Sequence, residues 1–466
     1  MRRKNVIDWL SIWPYRGGNY KRNRKLSAWT LSVKMRAVAI VVVALAVALV
    51  AGQERVLPRL IDQFPLGHPA FVQLFATERD VDPLDKYTLY ISNFDALAVL
   101  QRDDIYLLRS PGRQLNDVAN WAPTLIDKEN FWPNDVNFMP SSVVGREGVV
   151  WTSGFLVPGK QSGALNIYFT DVDPVERAGN IASLDELAFS YHRVVWYDVN
   201  KDGLLDAVTA RFNLPTLGAP TYDLLWLENP GNGVYEGWTQ HLITSGPDVH
   251  FRLSTFQVAG QDFTVLIVGE FFTERLVLYY AADGSDSFLS DPSTIISLVI
   301  DDVNVGQIFD LEVSDLNLDG RPELTVCGYN HTLGNVFVFP VPDDFRSDPW
   351  ERIVIADNFK ANPIVGGQSM TPGAPHAFYK GLQHEQSGDK PYVFVSGDDD
   401  GKHYILEPVS QDPADWTYNK HLLVDTGATT TGKYAIADLD NDGFTDIVAA
   451  AYTANEVYVY TYSEFP

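Results

Sequence analysis

The sequence predicts an all-β fold, a seven-bladed β-propeller whose blades each contain four strands. Three observations lead to this prediction. A unit of about 60 residues recurs along the 466-residue chain, and each unit joins short strands rich in Val, Ile and Tyr through polar turns. The last unit also lacks an outer strand, and the start of the repeat region supplies a matching one. Four short strands per repeat are typical of propeller blades.

The repeat is clearest in three segments that contain an acidic turn. They are 196–210 (WYDVNKDGLLDAVTA), 313–327 (VSDLNLDGRPELTVC) and 436–450 (IADLDNDGFTDIVAA). Their first aspartates, Asp198, Asp315 and Asp438, stand 117 and 123 residues apart, which is twice a unit of about 60 residues. Weaker copies lie near the midpoints. The region 53–466 is therefore predicted to be one repeat domain rather than two or three separate domains.

The N-terminal end of this domain is predicted to close the ring. The final unit stops at Pro466, before its outer strand. The segment 55–62 (RVLPRLID) has the same form as the outer strands at 124–127 (TLID) and 352–357 (RIVIAD). We expect it to complete the last blade, because a closed ring leaves no long strand edge unpaired.

The basic residues of the chain are concentrated in a leader, 1–52, which holds ten Lys and Arg and one acidic residue. Its uncharged apolar run, 37–51, has the length of a signal-peptide core and is short for a spanning helix, which needs about 20 residues. Two interpretations stay open: a signal peptide cleaved before Gln53, or an uncleaved signal-anchor with the leader in the cytosol. Both place the propeller outside the cytosol, secreted or anchored by one span, so only the N-terminal segment would touch a membrane.

Charge and cysteine content exclude several classes of protein. The chain has 35 Lys and Arg against 60 Asp and Glu, and without the leader the difference grows. A nucleic-acid partner is not expected, because phosphate binding needs clustered Lys and Arg. The single cysteine, Cys327, excludes an internal disulfide and a cysteine-based zinc site.

The three strong repeats share the spacing D-x-[DN]-x-D-G-x-x-[DE], which predicts about three calcium sites. Side-chain oxygens fall at positions 1, 3, 5 and 9, Gly at position 6 permits a sharp turn, and the carbonyl at position 7 can add a ligand. Crowded oxygens suit Ca²⁺ and would repel one another without a cation; the alternative is an acidic turn without metal. The predicted ligands are Asp198, Asn200, Asp202, Leu204 and Asp206 in the first loop, Asp315, Asn317, Asp319, Arg321 and Glu323 in the second, and Asp438, Asp440, Asp442, Phe444 and Asp446 in the third.

This pattern resembles the FG-GAP/VCBS repeat family, the calcium-loop propellers of integrin α-subunit heads and many secreted proteins. The resemblance covers essentially all of 53–466 as a repeat, with the calcium motif intact in three of seven units. It implies a seven-bladed propeller in which calcium stiffens blades and takes no part in catalysis. Glu323 stands where the family usually has Asp, so the second site is expected to differ in geometry.

Polar residues also recur just before each predicted innermost strand. Because equivalent positions of all blades converge on the central channel, these side chains are predicted to ring one mouth of it. Such a ring could bind a second divalent metal, an anionic sugar or a carboxylate, or supply an acid–base pair; it could equally hold only ordered water. The seven residues are His68, Asn137, His192, His250, Asp310, His376 and Lys433.

Two functions fit these features. The sequence favours an extracytoplasmic calcium-binding module for adhesion or recognition, without catalysis, whose partner is a glycan or an extracellular protein. The alternative is a carbohydrate-active enzyme, a polysaccharide lyase or sugar dehydratase, that uses the histidine-lined mouth. The enzyme would need at least two of the four histidines near one ligand in a concave pocket, whereas a recognition module would not.

Overall fold

The computed structural model describes residues 55–464, except 99, 156, 158, 183–187, 235–236 and 365–368. The predictions for the leader, 1–52, lie outside the described residues. Within the described ranges, 28 strands form seven four-stranded sheets. None of the helices in these ranges has the length and apolar content that crossing a membrane requires.

The strands have the following bounds. They are β1 (Arg59–Pro65), β2 (Pro69–Ala76), β3 (Tyr87–Asn93), β4 (Asp103–Arg109), β5 (Thr124–Asn130), β6 (Pro133–Met139), β7 (Gly148–Ser153), β8 (Leu165–Phe169), β9 (Glu176–Asn180), β10 (Ser190–Tyr197), β11 (Asp206–Asn213), β12 (Thr221–Glu228), β13 (Thr239–Ser245), β14 (His250–Val258), β15 (Gln261–Glu270), β16 (Arg275–Ala281), β17 (Ile295–Asp301), β18 (Gln307–Ser314), β19 (Glu323–Tyr329), β20 (Gly334–Pro340), β21 (Ile353–Phe359), β22 (Ala374–Phe378), β23 (Tyr392–Ser396), β24 (Lys402–Pro408), β25 (Tyr418–Asp425), β26 (Tyr434–Ala437), β27 (Asp446–Ala451) and β28 (Glu456–Thr461). Two short α-helices, α1 (Ser141–Val144) and α2 (Leu382–Ser387), lie in loops.

Each sheet is an antiparallel meander, which confirms the predicted seven-bladed propeller. Blades 1 to 6 take four consecutive strands each, from β2–β5 to β22–β25, and blade 7 has the order β26, β27, β28, β1. In blade 7, β1 pairs with β28 from Arg59 opposite Thr461 to Pro65 opposite Glu456. The N-terminal strand therefore completes the last blade as predicted. It begins four residues later than the predicted segment, after Pro58, which has no N–H to donate to the ladder.

The hydrophobic core lies between neighbouring blades. The second strands of several blades are buried at every position, as in β7, β19 and β27. Both faces of such a strand are covered by adjacent sheets, so its sequence is mostly apolar and does not alternate as that of a half-exposed strand would. The outer strands, such as β17, are only partly buried.

Register shifts in three innermost strands place extra side chains at the channel. The pairing of β6 with β7 skips 134–135, that of β10 with β11 skips 192–193, and that of β18 with β19 skips 309–310. A bulge of this kind leaves residues without a cross-strand partner and redirects them. Asp135, His192 and Asp310 are among these residues, and all three contribute to the site described next.

Candidate functional site in the central channel and its acidic loops

Charged side chains from three blades meet around Lys433 in the central channel. Lys433 Nζ is 2.7 Å from Asp310 Oδ2 and 3.1 Å from Asp135 Oδ2. The three residues belong to blades 7, 5 and 2, and all are buried. Burial acts to raise the pKa of Asp310, but the Lys433 ammonium and the guanidinium groups around it hold that pKa well below its usual range. The Lys433 ammonium thus gives both buried carboxylates a counter-charge, without which their burial would be costly.

Two of the predicted mouth histidines, His192 and His250, are each only 1% exposed. Burial lowers the pKa of His192 to about 4 and that of His250 well below its ordinary value, so both are neutral at neutral pH. His250 Nε2 lies 3.1 Å from Asp310 Oδ1. The His192 ring stands edge-on to Phe71 and Phe309, with centroids 5.5 and 5.3 Å away. These aromatic rings cover His192 on the side where the innermost strands begin.

The channel groups nearer the other end are accessible. His376 Nδ1 is 2.9 Å from Glu312 Oε2, and Arg252 Nη2 is 3.9 Å from Asp310 Oδ1. The side chains of His376 and Arg252 are 45% and 37% exposed, whereas Glu312 is mostly buried. Burial acts to lower the pKa of His376, but the Glu312 carboxylate outweighs it and the net pKa is raised.

This accessible group has a defined chemistry. A carboxylate only accepts, so the His376–Glu312 contact assigns the proton to Nδ1 and leaves Nε2 as the basic nitrogen. A guanidinium beside such a base is suited to hold a carboxylate. Together, His376, Glu312 and Arg252 can bind an anion and move a proton.

Two of the seven predicted residues lie apart from these groups. Asn137 Oδ1 accepts a hydrogen bond of 2.9 Å from the amide of Val194, and so ties blade 2 to blade 3. His68 precedes β2 with a φ of 49°, packs against Tyr452 and lies 3.8 Å from Asp95. Both were predicted from their phase in the repeat, which does not determine where an individual side chain points.

Asp135 and Glu312 were not among the channel residues predicted from the sequence. Each stands two residues from a predicted member of the ring, Asn137 and Asp310 respectively. The bulges at 134–135 and 309–310 interrupt the regular alternation of side chains along these strands, so the sequence held no clear signal for either residue.

The three acidic loops follow the innermost strands β10, β18 and β26, and share one backbone conformation. Position 4 has a φ near 60° in each, at Lys201, Leu318 and Asn441. The amide of the position-6 glycine donates to the position-1 aspartate at 3.0 to 3.1 Å. The glycine turn was expected from the sequence, and position 4 adds a second left-handed residue that only this hydrogen-bonded loop makes acceptable.

Carboxylate oxygens converge inside the third loop. The carboxylates of Asp438, Asp440 and Asp442 offer oxygens within 4.8 Å of one another. In the other two loops, the position-3 side chains of Asn200 and Asn317 donate from Nδ2 to the carboxylate at position 5, at 3.1 Å. Hard oxygen donors at this density fit Ca²⁺. A buried oxygen of the position-1 carboxylate in the first loop, Oδ1 of Asp198, also has no hydrogen-bond partner among the described residues.

The position-9 carboxylates are buried and hold the loops in place by accepting backbone hydrogen bonds. Asp206, Glu323 and Asp446 accept from the amide at position 2 of their own loop, at 3.0, 2.7 and 2.9 Å. Glu323 makes the same backbone contact as the two aspartates. The extra methylene therefore leaves this hydrogen bond in place.

Blade 1 stabilises its corresponding loop without the acidic motif. Arg113 Nε is 2.6 Å from Asp85 Oδ1, and Arg113 Nη2 is 3.3 Å from Asp82 Oδ1. The guanidinium holds the pKa of Asp85 at about 2. In this loop, the guanidinium of Arg113 thus supplies the positive charge beside the aspartates.

No protein-family model matches the chain and no curated protein matches it, so membership of the FG-GAP/VCBS family stays a prediction. Solved structures that align with it include an α-L-arabinanase from Penicillium chrysogenum, with 12% identity, a TM-score of 0.38, and 87% of this chain and 98% of that chain covered. An α-L-arabinofuranosidase from Fusarium graminearum has 9% identity, a TM-score of 0.38, and coverages of 87% and 97%. The NanB sialidase from Streptococcus pneumoniae has 12% identity, a TM-score of 0.37, and coverages of 86% and 69%. Likeness at this level carries no argument about function, which has to come from the residues.

Proposed function

We propose that the protein is a carbohydrate-active propeller that acts at the accessible end of its central channel. The observation that carries this proposal is the 2.9 Å contact between His376 and Glu312. The His376 side chain is half-exposed, and Arg252 lies close enough to act on it electrostatically. His250 and Asp310 stand behind this group and stay buried. The geometry therefore favours a carbohydrate-active enzyme, the alternative that the sequence left open, rather than adhesion through the blade surfaces.

The reaction class that fits is β-elimination from a uronate-containing glycan. Arg252 pairs with the sugar carboxylate, which makes the neighbouring C5–H more acidic. His376 Nε2 takes that proton, the C5–H electron pair becomes the C4–C5 double bond, and the C4–O bond breaks. The leaving oxygen takes a proton from solvent. A sugar dehydratase would use the same proton abstraction with hydroxide as the leaving group.

A second function, recognition of a glycan or an extracellular protein without turnover, is favoured by the three acidic loops. In this proposal the protein lies outside the cytosol, and calcium bound at Asp198, Asp315 and Asp438 and their neighbours stiffens the face where the innermost strands end. The resemblance to FG-GAP/VCBS repeats supports this role for calcium. A second divalent metal in the channel is not part of the proposal, because the Lys433 ammonium already lies between the carboxylates of Asp135 and Asp310.

The test compares polygalacturonate with a neutral arabinan, each with and without EDTA. Elimination shortens the acidic polymer and creates an unsaturated product that absorbs in the ultraviolet, and His376→Ala should abolish it. His421→Gln is the matched control, because His421 also lies 2.8 Å from a glutamate, Glu407, but on an outer strand. Binding without shortening would overturn the enzyme and support recognition. No binding and no product would overturn both.

A further inference from the structure

A cavity of about 100 Å³ lies between blades 1 and 2, outside the channel and outside the acidic loops. Its lining includes Thr77, which follows the innermost strand β2 as Asp198 follows β10. The cavity is therefore on the face that also carries the acidic loops. At about 30 Å³ per water molecule, it has room for part of one small polar molecule.

The floor of this cavity is aromatic. The Phe75 ring lies 5.6 Å from that of Tyr90 and 5.9 Å from that of Phe138. Phe75 and Phe138 are partly exposed, while Tyr90 is buried and its pKa is raised to about 12 by that burial. Tyr90 therefore keeps its proton at neutral pH. Partly exposed aromatic faces of this kind are suited to the apolar face of a sugar ring.

The wall of the cavity is polar and already held in place. Glu147 accepts from the hydroxyl of Thr77 at 2.8 Å and from the amide of Glu78 at 2.6 Å. Arg109 donates from Nη1 to the carbonyl of Thr170 at 2.9 Å, and from Nη2 to that of Val172 at 2.7 Å. Groups fixed before a ligand arrives bind it with less ordering cost.

The charges of this wall indicate the ligand class. Two carboxylates, those of Glu147 and Asp85, line the same cavity as the guanidinium groups of Arg109 and Arg79. A carboxylate ligand would be attracted by the guanidinium groups and repelled by the carboxylates, whereas hydroxyl groups can donate to the carboxylates and accept from the guanidinium groups. Hydroxyls above an aromatic floor describe an uncharged sugar.

We propose that this cavity binds one uncharged sugar residue, such as the terminal unit of a glycan. This site rests on the proposed function only in taking carbohydrate as the ligand class, and it needs none of the channel chemistry. The cavity would bind a neutral sugar unit of a polymer, and an acidic unit of the same polymer would bind at Arg252.

The experiment titrates the full chain with L-arabinose, D-galactose and acetate, using calorimetry and saturation-transfer NMR. We expect both sugars to bind and acetate not to bind. Phe138→Leu keeps the volume but removes an aromatic face, and should weaken sugar binding by about tenfold or more. Thr77→Val removes a hydroxyl from the wall and is the second variant, should Phe138→Leu fail to fold.

The control variant is Tyr222→Leu, which alters an aromatic pair outside the cavity, that of Tyr222 with Phe272. It should leave sugar binding unchanged, as should His376→Ala in the channel. Sugar binding that survives both Phe138→Leu and Thr77→Val, tighter binding of acetate, or no sugar binding would overturn the proposal. If the full chain binds the sugars but shows no elimination activity at the channel, only the proposed function is overturned.

Discussion

The Nζ atom of Lys433 lies 2.7 Å from Asp310, so a side chain of blade 7 reaches blade 5 across the channel. The same ammonium is 3.1 Å from Asp135 of blade 2. The ring is therefore held at its centre by one ion-pair group, and at its rim by the pairing of β1 with β28.

Lys433→Met should destabilise the protein by about 3–5 kcal/mol, because it removes the nearest counter-charge of two buried carboxylates. Denaturant unfolding at neutral pH measures the change. Lys402→Met is the control, since Lys402 pairs with Asp425 near the surface at 3.6 Å and such pairs contribute less than about 1 kcal/mol. Equal effects of the two substitutions would contradict the central role of Lys433.

Phe64→Ala tests the closure of the ring by β1. Phe64 is fully buried and its ring lies 5.6 Å from that of Trp121, so its loss should cost about 3–5 kcal/mol of unfolding free energy. Leu60→Ala on the same strand is the matched control, because Leu60 is 46% exposed and should cost about 0.5 kcal/mol or less. If thermal unfolding ranks the two variants equally, β1 does not pack in blade 7 in solution.

His192→Phe should remove part of the acid sensitivity of the fold. The pKa of His192 is about 4 in the folded state against 6.5 ordinarily, so the unfolded chain binds a proton first as the pH falls. The free energy of unfolding should therefore decrease from pH 6.5 to pH 4, by about 3 kcal/mol for this group. Denaturation at several pH values checks this. An unchanged pH slope in the variant would show that His192 is not buried as a neutral ring.

Calcium should raise the thermal midpoint, and calorimetry should count three sites. A ligand at 100 times its Kd adds about 2.7 kcal/mol of stability. Asp440→Asn combined with Asp442→Asn should remove one site, because their carboxylates converge with that of Asp438. Glu351→Gln, exposed and outside the loops, should keep all three. A thermal midpoint indifferent to both calcium and EDTA would contradict the calcium proposal.

Glu312→Gln should move the pH dependence of the proposed elimination. Glu312 holds the pKa of His376 above its ordinary value. Without that carboxylate, His376 becomes deprotonated at lower pH, so the acidic limb of kcat/KM should shift to lower pH. His376→Ala should lower the rate by about 10²–10⁴-fold. An acidic limb that stays in place in Glu312→Gln would exclude His376 as the base.

The features that were predictable from the sequence are local in the chain. Each acidic loop is complete within nine residues, and its glycine turn and oxygen spacing are visible in the sequence itself. The hairpins of each blade are equally local, and the form of β1 matches other outer strands. These features were enough for the number of blades and for the closure of the ring.

The arrangement of the channel residues was not predictable in this way, because it depends on contacts between residues far apart in the sequence. Asp135 and Lys433 are 298 positions apart, and the bulges that expose Asp135, His192 and Asp310 to the channel leave no clear trace in the sequence. Phase in the repeat placed five of the seven predicted residues at the channel, but could not separate His192 and His250 from His376.

By itself, the sequence determined the repeat, the strands and the acidic loops, because each of these depends on interactions between near neighbours in the chain. Only the tertiary structure decided which histidine is accessible. Phe71 and Phe309, from blades 1 and 5, cover His192 of blade 3, whereas His376 retains Glu312 and an exposed edge. Burial lowers the pKa of His192, whereas the Glu312 carboxylate raises that of His376. Both effects come from residues that only the closed ring brings together.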